Sequence, residues 1–426
     1  VKPGARVDFL ITLLAQYLEK KGPADAFISS MYKNHRFIGS KDRQFFNTHF
    51  FNILRHILAL QHIFEESPRL WVIGYFHIME NMVLKDLEAF FNDDPYHSAS
   101  LSGEELGTLK KAASDYHSPA LPFWIKRNIP QWLYEECRFI EEHERMFECF
   151  QKEAPLDIRI NPLKSTPCEV MALFKDTYPD VRIEKISSRL PFALRLNRRV
   201  ALSQMETYKQ GWFEIQDAGS QHIARHMEAK AGEHILDFCA GACGKTLAFA
   251  SNMQGKGRII CTDVFEKRLI NGKKRLKRAG IQNAECRLLN GSNDPWLKRQ
   301  KKRFDAVLVD APCSGTGTLR RNPDKVLNMI PLMVEGLVEQ QRFILKKAAE
   351  CVKPGGRLLY ATCSILKKEN EEQISAFLKD HDDFSPAPLN EFTSHESSDV
   401  YEKTYYPHTD GCDGFYVAKI IRKTEK

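Results

Sequence analysis

The sequence contains no run of eighteen or more consecutive apolar residues, which excludes a conventional membrane-spanning helix. A basic N-terminal start followed by an apolar core and a small-residue cleavage site is also missing, so a cytoplasmic location is expected. The first residue is Val1 rather than methionine, which suggests an alternative start or a fragment. No C-x-x-C spacing occurs among the eleven cysteines, and their number is odd; both facts argue against a disulfide framework or a zinc ribbon, and no metal is expected. In a reducing compartment, Cys137, Cys149, Cys261, Cys286 and Cys351 read as buried small apolar residues. Neither G-x-G-x-x-G nor the P-loop pattern is present, which removes the plainest signatures of dinucleotide and nucleoside-triphosphate binding.

What is present points to a folded chain of several domains. Its 426 residues exceed one ordinary core, and 43% are hydrophobic against 27% charged. Residues 1–150 read as helical: Val7, Leu10, Leu14 and Leu18 lie near helical spacing before Gly22-Pro23, and Ser40 stands as an N-cap for the next helix. The aromatic residues Phe45, Phe46, Phe50 and Phe51 are expected in that core. Residues 151–210 change texture, with alternation at Leu156, Ile158 and Ile160, a short helix in PCEVMALFKDTYP and more strand through RLPFALRL, and read as a small α+β module. Residues 211–426 alternate short apolar runs (HILDFCAG, RIICTDV, AECRLL, FDAVLVDAP, RLLYATCS) with helical segments. That rhythm predicts a doubly wound α/β domain with ligands outside the carboxyl ends of its strands.

Net charge is +7, and it is unevenly spread. Glu266 to Arg303 holds thirteen Lys or Arg against three acids, which is either a solvated face or a phosphate-contacting surface. The first strand of the α/β domain ends in DFCAGACGKT, whose small residues let backbone approach a ligand at a helix N-terminus. Asp263, at the end of the second strand, is placed to accept hydrogen bonds from a ribose or to cap the helix after it. Strands four and five end in DAPCSGTG and YATCS, which sets Cys313 and Cys363 at the same end of one parallel sheet.

At these residues the chain resembles the RsmB/Sun family of RNA cytosine-C5 methyltransferases. The resemblance rests on DAPCSGTGTLRRNPD (Asp310 to Asp324) and YATCSILKKENEEQI (Tyr360 to Ile374), supported by QDAGSQ (Gln216 to Gln221), AGACGKT and the terminal DGCDGFYVAKI. It implies a Rossmann-like catalytic domain that uses S-adenosylmethionine, preceded by an RRM-like module and an N-terminal NusB-like domain. Carried over by motif, Cys363 is the nucleophile, Cys313 assists release as base or proton shuttle, and Asp310 hydrogen-bonds the cytosine ring and lies near the methyl donor. Cys239, Ala240, Gly241, Ala242, Cys243, Gly244 and Lys245 would line the cofactor, and Asp263 would bind its ribose. Lys245 would either position the cofactor's carboxylate or cap the site electrostatically.

Two positions depart from the family pattern. Cys243 replaces a glycine of the common A-A-P-G-G-K-T loop, and Ser292 stands in NGSND where the family carries an acid, so it is retained only as a contact to adenine. Arg159, Asn161 and Lys164, with Arg320, Arg321 and Asn322, are the candidate RNA contacts, and Arg36, Lys41 and Arg43 extend them. The expected partner is 16S rRNA, with tRNA as the alternative; a monomer is expected. The competing class is a non-catalytic RNA-binding assembly factor, while the T-C motif and the helical N-terminus disfavour a DNA methyltransferase.

Overall fold

The structure, a computed structural model, describes residues 2–20, 22–35, 38–92, 98–291, 293–389 and 400–424. The chain forms two compact units, one of Val1–Glu153 with Leu319–Met329, the other of Ala154–Thr318 with Ile330–Lys426.

The first unit is helical. Helix Pro3–Lys20 buries Val7, Leu10, Leu14 and Tyr17, so the inward stripe follows the helical period and closes on Tyr17 where Leu18 was expected. Ser40 is the first residue of helix Ser40–Leu54 rather than its cap; Gly39 holds the cap position without a side-chain bond. Phe46 and Phe50 are buried in the core. A contiguous 211–426 domain does not account for Leu319–Met329, because this segment packs within the helical unit. Leu319, Val326 and Met329 are buried there, and Asp324 accepts the Ala24 amide at 3.2 Å. The Arg55 guanidinium donates to the Arg320 carbonyl at 3.0 Å, and the Trp132 indole to the Met329 carbonyl at 3.3 Å. The chain thus leaves the second unit directly after the loop that bears Cys313.

The second unit contains two sheets. Strands β1 (Leu156–Ile160), β2 (Ile183–Lys185), β3 (Ala193–Leu196) and β4 (Phe213–Ile215) form an antiparallel sheet in the order β2-β3-β1-β4, with helix Pro167–Thr177 after β1. Thr166 caps that helix in a reciprocal box with Glu169. β4 lies beyond the boundary at residue 210, because its pairing with β1 completes the small sheet.

The large sheet comprises β5 (His234–Asp237), β6 (Arg258–Asp263), β7 (Ala284–Leu288), β8 (Phe304–Asp310), β9 (Val352–Thr362), β10 (Phe384–Pro386), β11 (Glu402–Tyr405) and β12 (Phe415–Arg422). The order is β10-β12-β9-β8-β5-β6-β7, with β11 paired to β12. β5 to β9 are the five anticipated strands and run parallel, while β10, β11 and β12 add an antiparallel flank. Both faces of the sheet are covered: Ile235, Leu308 and Leu359 pack on one side, and Leu236, Val307 and Leu358 on the other. That two-sided burial is why these strands read as unbroken apolar runs. Strand order reverses between β5 and β8, and a ligand crevice opens outside the carboxyl ends at such a point.

Candidate active site

The strand register brings the two cysteine loops together. Asp310, the last residue of β8, pairs with Ala361 of β9, so the chain leaves both strands at the same level. The Ala311 amide donates to the Ala361 carbonyl at 2.8 Å, and the Gly317 amide to the Cys363 carbonyl at 3.0 Å. Gly317 is held in turn by the Gly414 amide at 2.7 Å, and a Cβ on Gly317 would meet the Gly414 oxygen at 2.1 Å. Only glycine fits that crossing. The Cys313 and Cys363 sulfurs lie 3.4 Å apart.

A buried polar network beneath the thiols fixes this arrangement. The fully buried Glu369 accepts from the Ser314 amide at 2.9 Å, the Ser314 hydroxyl at 2.5 Å, Gln341 Nε2 at 2.9 Å and the Ser364 hydroxyl. Gln341 also donates to the Pro312 carbonyl, and Asn370 to the Ser364 carbonyl, both at 2.9 Å. One carboxylate therefore ties the residue after Cys313 to the residue after Cys363. Sequence reasoning missed Glu369; its signal was an acid inside the quoted YATCSILKKENEEQI.

Charge is arranged above the network. Lys245 Nζ lies 2.6 Å from Asp310 Oδ2. Burial works to lower the Lys245 pKa, but the Asp310 carboxylate outweighs it, with Cys363 adding to the effect, and the pKa ends above its ordinary value. The Cys313 thiol is pushed well above its ordinary range, first by its bond to Cys363 and then by burial. Cys363 thus bears on both neighbours, raising the pKa of the Cys313 thiol and adding to the rise at Lys245.

The adjoining loop follows β5. Gly241 takes a left-handed φ of 53° and Cys243 one of 59°. The Asp263 carboxylate accepts from the Gly241 amide at 2.9 Å and from the Phe265 amide at 2.8 Å, so it braces the loop and the entry to helix Glu266–Ala279 together. Arg275 of that helix donates to the Ala242 carbonyl at 2.8 Å while paired with Glu214, a role its basic stretch concealed. Cys239, Ala240, Gly241, Ala242 and Gly244 stay partly exposed. Cys243 is buried and turns its side chain inward. Thr246 donates to Asp237 Oδ2 at 2.5 Å, and the other Asp237 oxygen has no hydrogen-bond partner among the described residues. Burial raises the Asp237 pKa to about 7.

These residues fit S-adenosylmethionine. Nothing lies within 4 Å of a Cβ built on Gly241, which leaves open space at that turn of the loop. Each Asp263 oxygen bonds one amide and keeps lone pairs for a ribose hydroxyl. Val264 and Phe265, 49% and 56% exposed, follow it as an apolar surface suited to a purine ring. Ser292 lies outside the described residues; the neighbouring Asp294 accepts from the Asn290 and Trp296 amides at 2.9 and 2.8 Å and caps helix Pro295–Lys298.

The candidate RNA contacts divide by burial. Asn161 is 3% exposed; its amide donates to the Gly211 and Ala279 carbonyls, both at 2.9 Å, and its oxygen accepts from the Leu163 amide. Its role is to join the small sheet to the helix Glu266–Ala279, which corrects its assignment to RNA. Arg159, 6% exposed, donates to Gln216 Oε1 at 2.8 Å inside the fold, which removes it from the phosphate-facing set as well. Lys164 is exposed. Arg320 is buried in the helical unit, while Arg321 and Asn322 are partly exposed. Lys41 and Arg43 are exposed, and Arg36 lies outside the described residues.

Residues 224–421 match the family model described as 16S rRNA methyltransferase RsmB/F. A curated relative from Yersinia pseudotuberculosis, "Ribosomal RNA small subunit methyltransferase B", is 31% identical over 321 residues, covering 75% of this chain and 70% of that one. A Synechocystis relative, "Probable ribosomal RNA small subunit methyltransferase B", is 33% identical over 303 residues; the match covers 69% of this chain and 66% of the relative's own length. Among solved structures, that of PH0851 superposes with a TM-score of 0.75 at 23% identity, covering 99% of each chain, and shares the fold.

Proposed function

The chain belongs to the RsmB/F family of RNA methyltransferases, which draw their methyl group from S-adenosylmethionine, and on that premise we propose that it methylates carbon 5 of a cytosine in 16S rRNA. The observation that carries this reading is the pair of sulfurs 3.4 Å apart beside the Lys245–Asp310 ion pair. Cytosine C5 is a poor nucleophile until a thiolate adds at C6 and makes C5 enamine-like. A site for that chemistry needs one ionised thiol, a second group to handle the departing proton, and charge at the base edge.

Cys363 adds to C6 as the thiolate, supported by the Lys245 ammonium and the Cys313 thiol bond. Asp310 accepts from the exocyclic amine, and Lys245 offsets the negative charge that develops on the ring. When bound, the cofactor supplies an electrophilic methyl group. The C5 proton then leaves to Cys313, which relays its own proton to solvent. The C5–H electrons re-form the C5–C6 double bond, and the C6–S bond breaks to return Cys363 as thiolate. The raised pKa of Cys313 keeps it protonated and so unsuited to the attack.

The helical unit, read as NusB-like, and the small sheet, read as RRM-like, would hold the RNA. Exposed Lys41, Arg43 and Lys164 support that reading.

The test supplies labelled S-adenosylmethionine with 16S rRNA, tRNA and a cytosine-free control. Transfer to 16S rRNA is expected, and transfer confined to tRNA would change the substrate. Cys363→Ala should abolish transfer, and Cys313→Ala should accumulate a covalent RNA adduct on denaturing gels. An adduct from Cys363→Ala instead would exchange the two roles, and absence of transfer with every RNA would remove the proposal.

A further inference from the structure

Cys243, Cys261 and Cys286 arise in three separate segments, yet their sulfurs lie within 4.8 Å of one another. Two are placed by strand pairing: Cys261 of β6 is in direct register with Cys286 of β7, so their side chains stand together on one face of the sheet. The third is delivered by backbone conformation. Cys243 precedes helix Gly244–Phe249 with φ 59° and ψ 29°, a conformation unusual for a residue with a Cβ, and its sulfur fills the space that Gly272 leaves. A Cβ on Gly272 would come within 2.5 Å of that sulfur.

We propose that these three cysteines form a three-thiolate site for zinc(II), with the fourth position open to solvent or an exogenous ligand. The proposal does not rest on the methyl-transfer reading. Zinc–sulfur bonds of about 2.3 Å in a tetrahedron set sulfur–sulfur edges of about 3.8 Å. The Cys243 and Cys286 sulfurs are 3.8 Å apart, so that edge is already formed. Cys243 and Cys261 are buried while Cys286 is partly exposed, which gives the ion a path from solvent. Binding replaces the thiol protons with metal and releases them to solvent, with no change of oxidation state. Because Cys243 lies between Ala242 and Gly244, the ion would tie the glycine-containing loop to β6 and β7.

Cobalt(II) is the optical probe, added to the reduced, chelator-washed full chain. Because Cys313 and Cys363 are a second close thiol pair, the titration is run in a Cys313→Ser/Cys363→Ser background. One equivalent should produce intense visible bands of a tetrahedral ion and near-ultraviolet sulfur-to-cobalt charge transfer, both displaced by one equivalent of zinc(II). Cys286→Ser, at the partly exposed position, should weaken binding about a hundredfold or more while the far-ultraviolet dichroism stays unchanged; Cys261→Ala serves as a second variant. Absence of tetrahedral bands, their loss in the Cys313→Ser/Cys363→Ser background, or undiminished binding by Cys286→Ser would each overturn the proposal.

Discussion

Glu369 and Ser314 are joined twice, through the Ser314 amide at 2.9 Å and its hydroxyl at 2.5 Å. Ser314 follows Cys313 in the chain, and the same carboxylate takes the hydroxyl of Ser364, which follows Cys363. The spacing of the two sulfurs is therefore set from beneath by a residue that touches neither. Glu369→Gln replaces one acceptor oxygen with a donor and should let the loops part. Turnover should fall by about a hundredfold, the cost of a displacement near 1 Å, while KM for the cofactor stays within about threefold. A matching rise in that KM would show that the network holds the cofactor loop rather than the cysteines.

Lys245 reads either as a contact to the cofactor's carboxylate or as an electrostatic cap on the site, and its ammonium lies on Asp310. Lys245→Met should leave cofactor affinity within about threefold and slow transfer by about a hundredfold, because a preorganised charge at the reacting base is lost. Calorimetry and single-turnover rates separate the two effects. If affinity collapses and the rate at saturation holds, the cofactor reading of Lys245 is restored.

The parallel strands and their two cysteine loops were legible because both carry local signals: apolar runs buried on two faces, and polar motifs at fixed strand ends. Glu369, Gln341 and Arg275 were not, since each has at least one partner 28 or more residues away that no periodicity reveals. Asn161 and Arg159 failed for the opposite reason. Polar residues beside a strand read as surface, and burial with satisfied partners is visible only once the small sheet packs on helix Glu266–Ala279. The capture of Leu319–Met329 by the helical unit left no mark at all, because the segment continues a catalytic motif without a break.

Asp237 makes stability depend on pH. Its carboxyl is raised from 3.8 to about 7, chiefly by burial, partly opposed by the Thr246 bond and reinforced by the Asp310 charge. Between these values the folded chain keeps a proton that the unfolded chain has released, so this group's contribution is full at acid pH and falls as pH rises toward 7. Asp237→Asn keeps an acceptor for Thr246 and carries no charge. In urea unfolding of the cofactor-free chain, it should gain on the wild type by a few kcal/mol, about 2–4, between pH 4.5 and pH 8. An equal difference at both pH values would show that Asp237 ionises normally in the fold.

Asn161 and Lys164 lie three residues apart and should respond to opposite assays. Asn161→Ala strands two carbonyls and one amide in a 3% exposed site, which should lower the unfolding free energy by about 2–3 kcal/mol. Its side-chain amide is spent inside the fold, so the slope of RNA affinity against salt should not move. Lys164→Ala removes an exposed charge and should leave stability within about 0.5 kcal/mol. If Lys164 meets a phosphate, the salt slope should shrink by about 0.7–0.9, the counterions one contact releases. A reduced slope for Asn161→Ala with unchanged stability would return Asn161 to the RNA surface, and an unchanged slope for Lys164→Ala would make that lysine only a solvated charge.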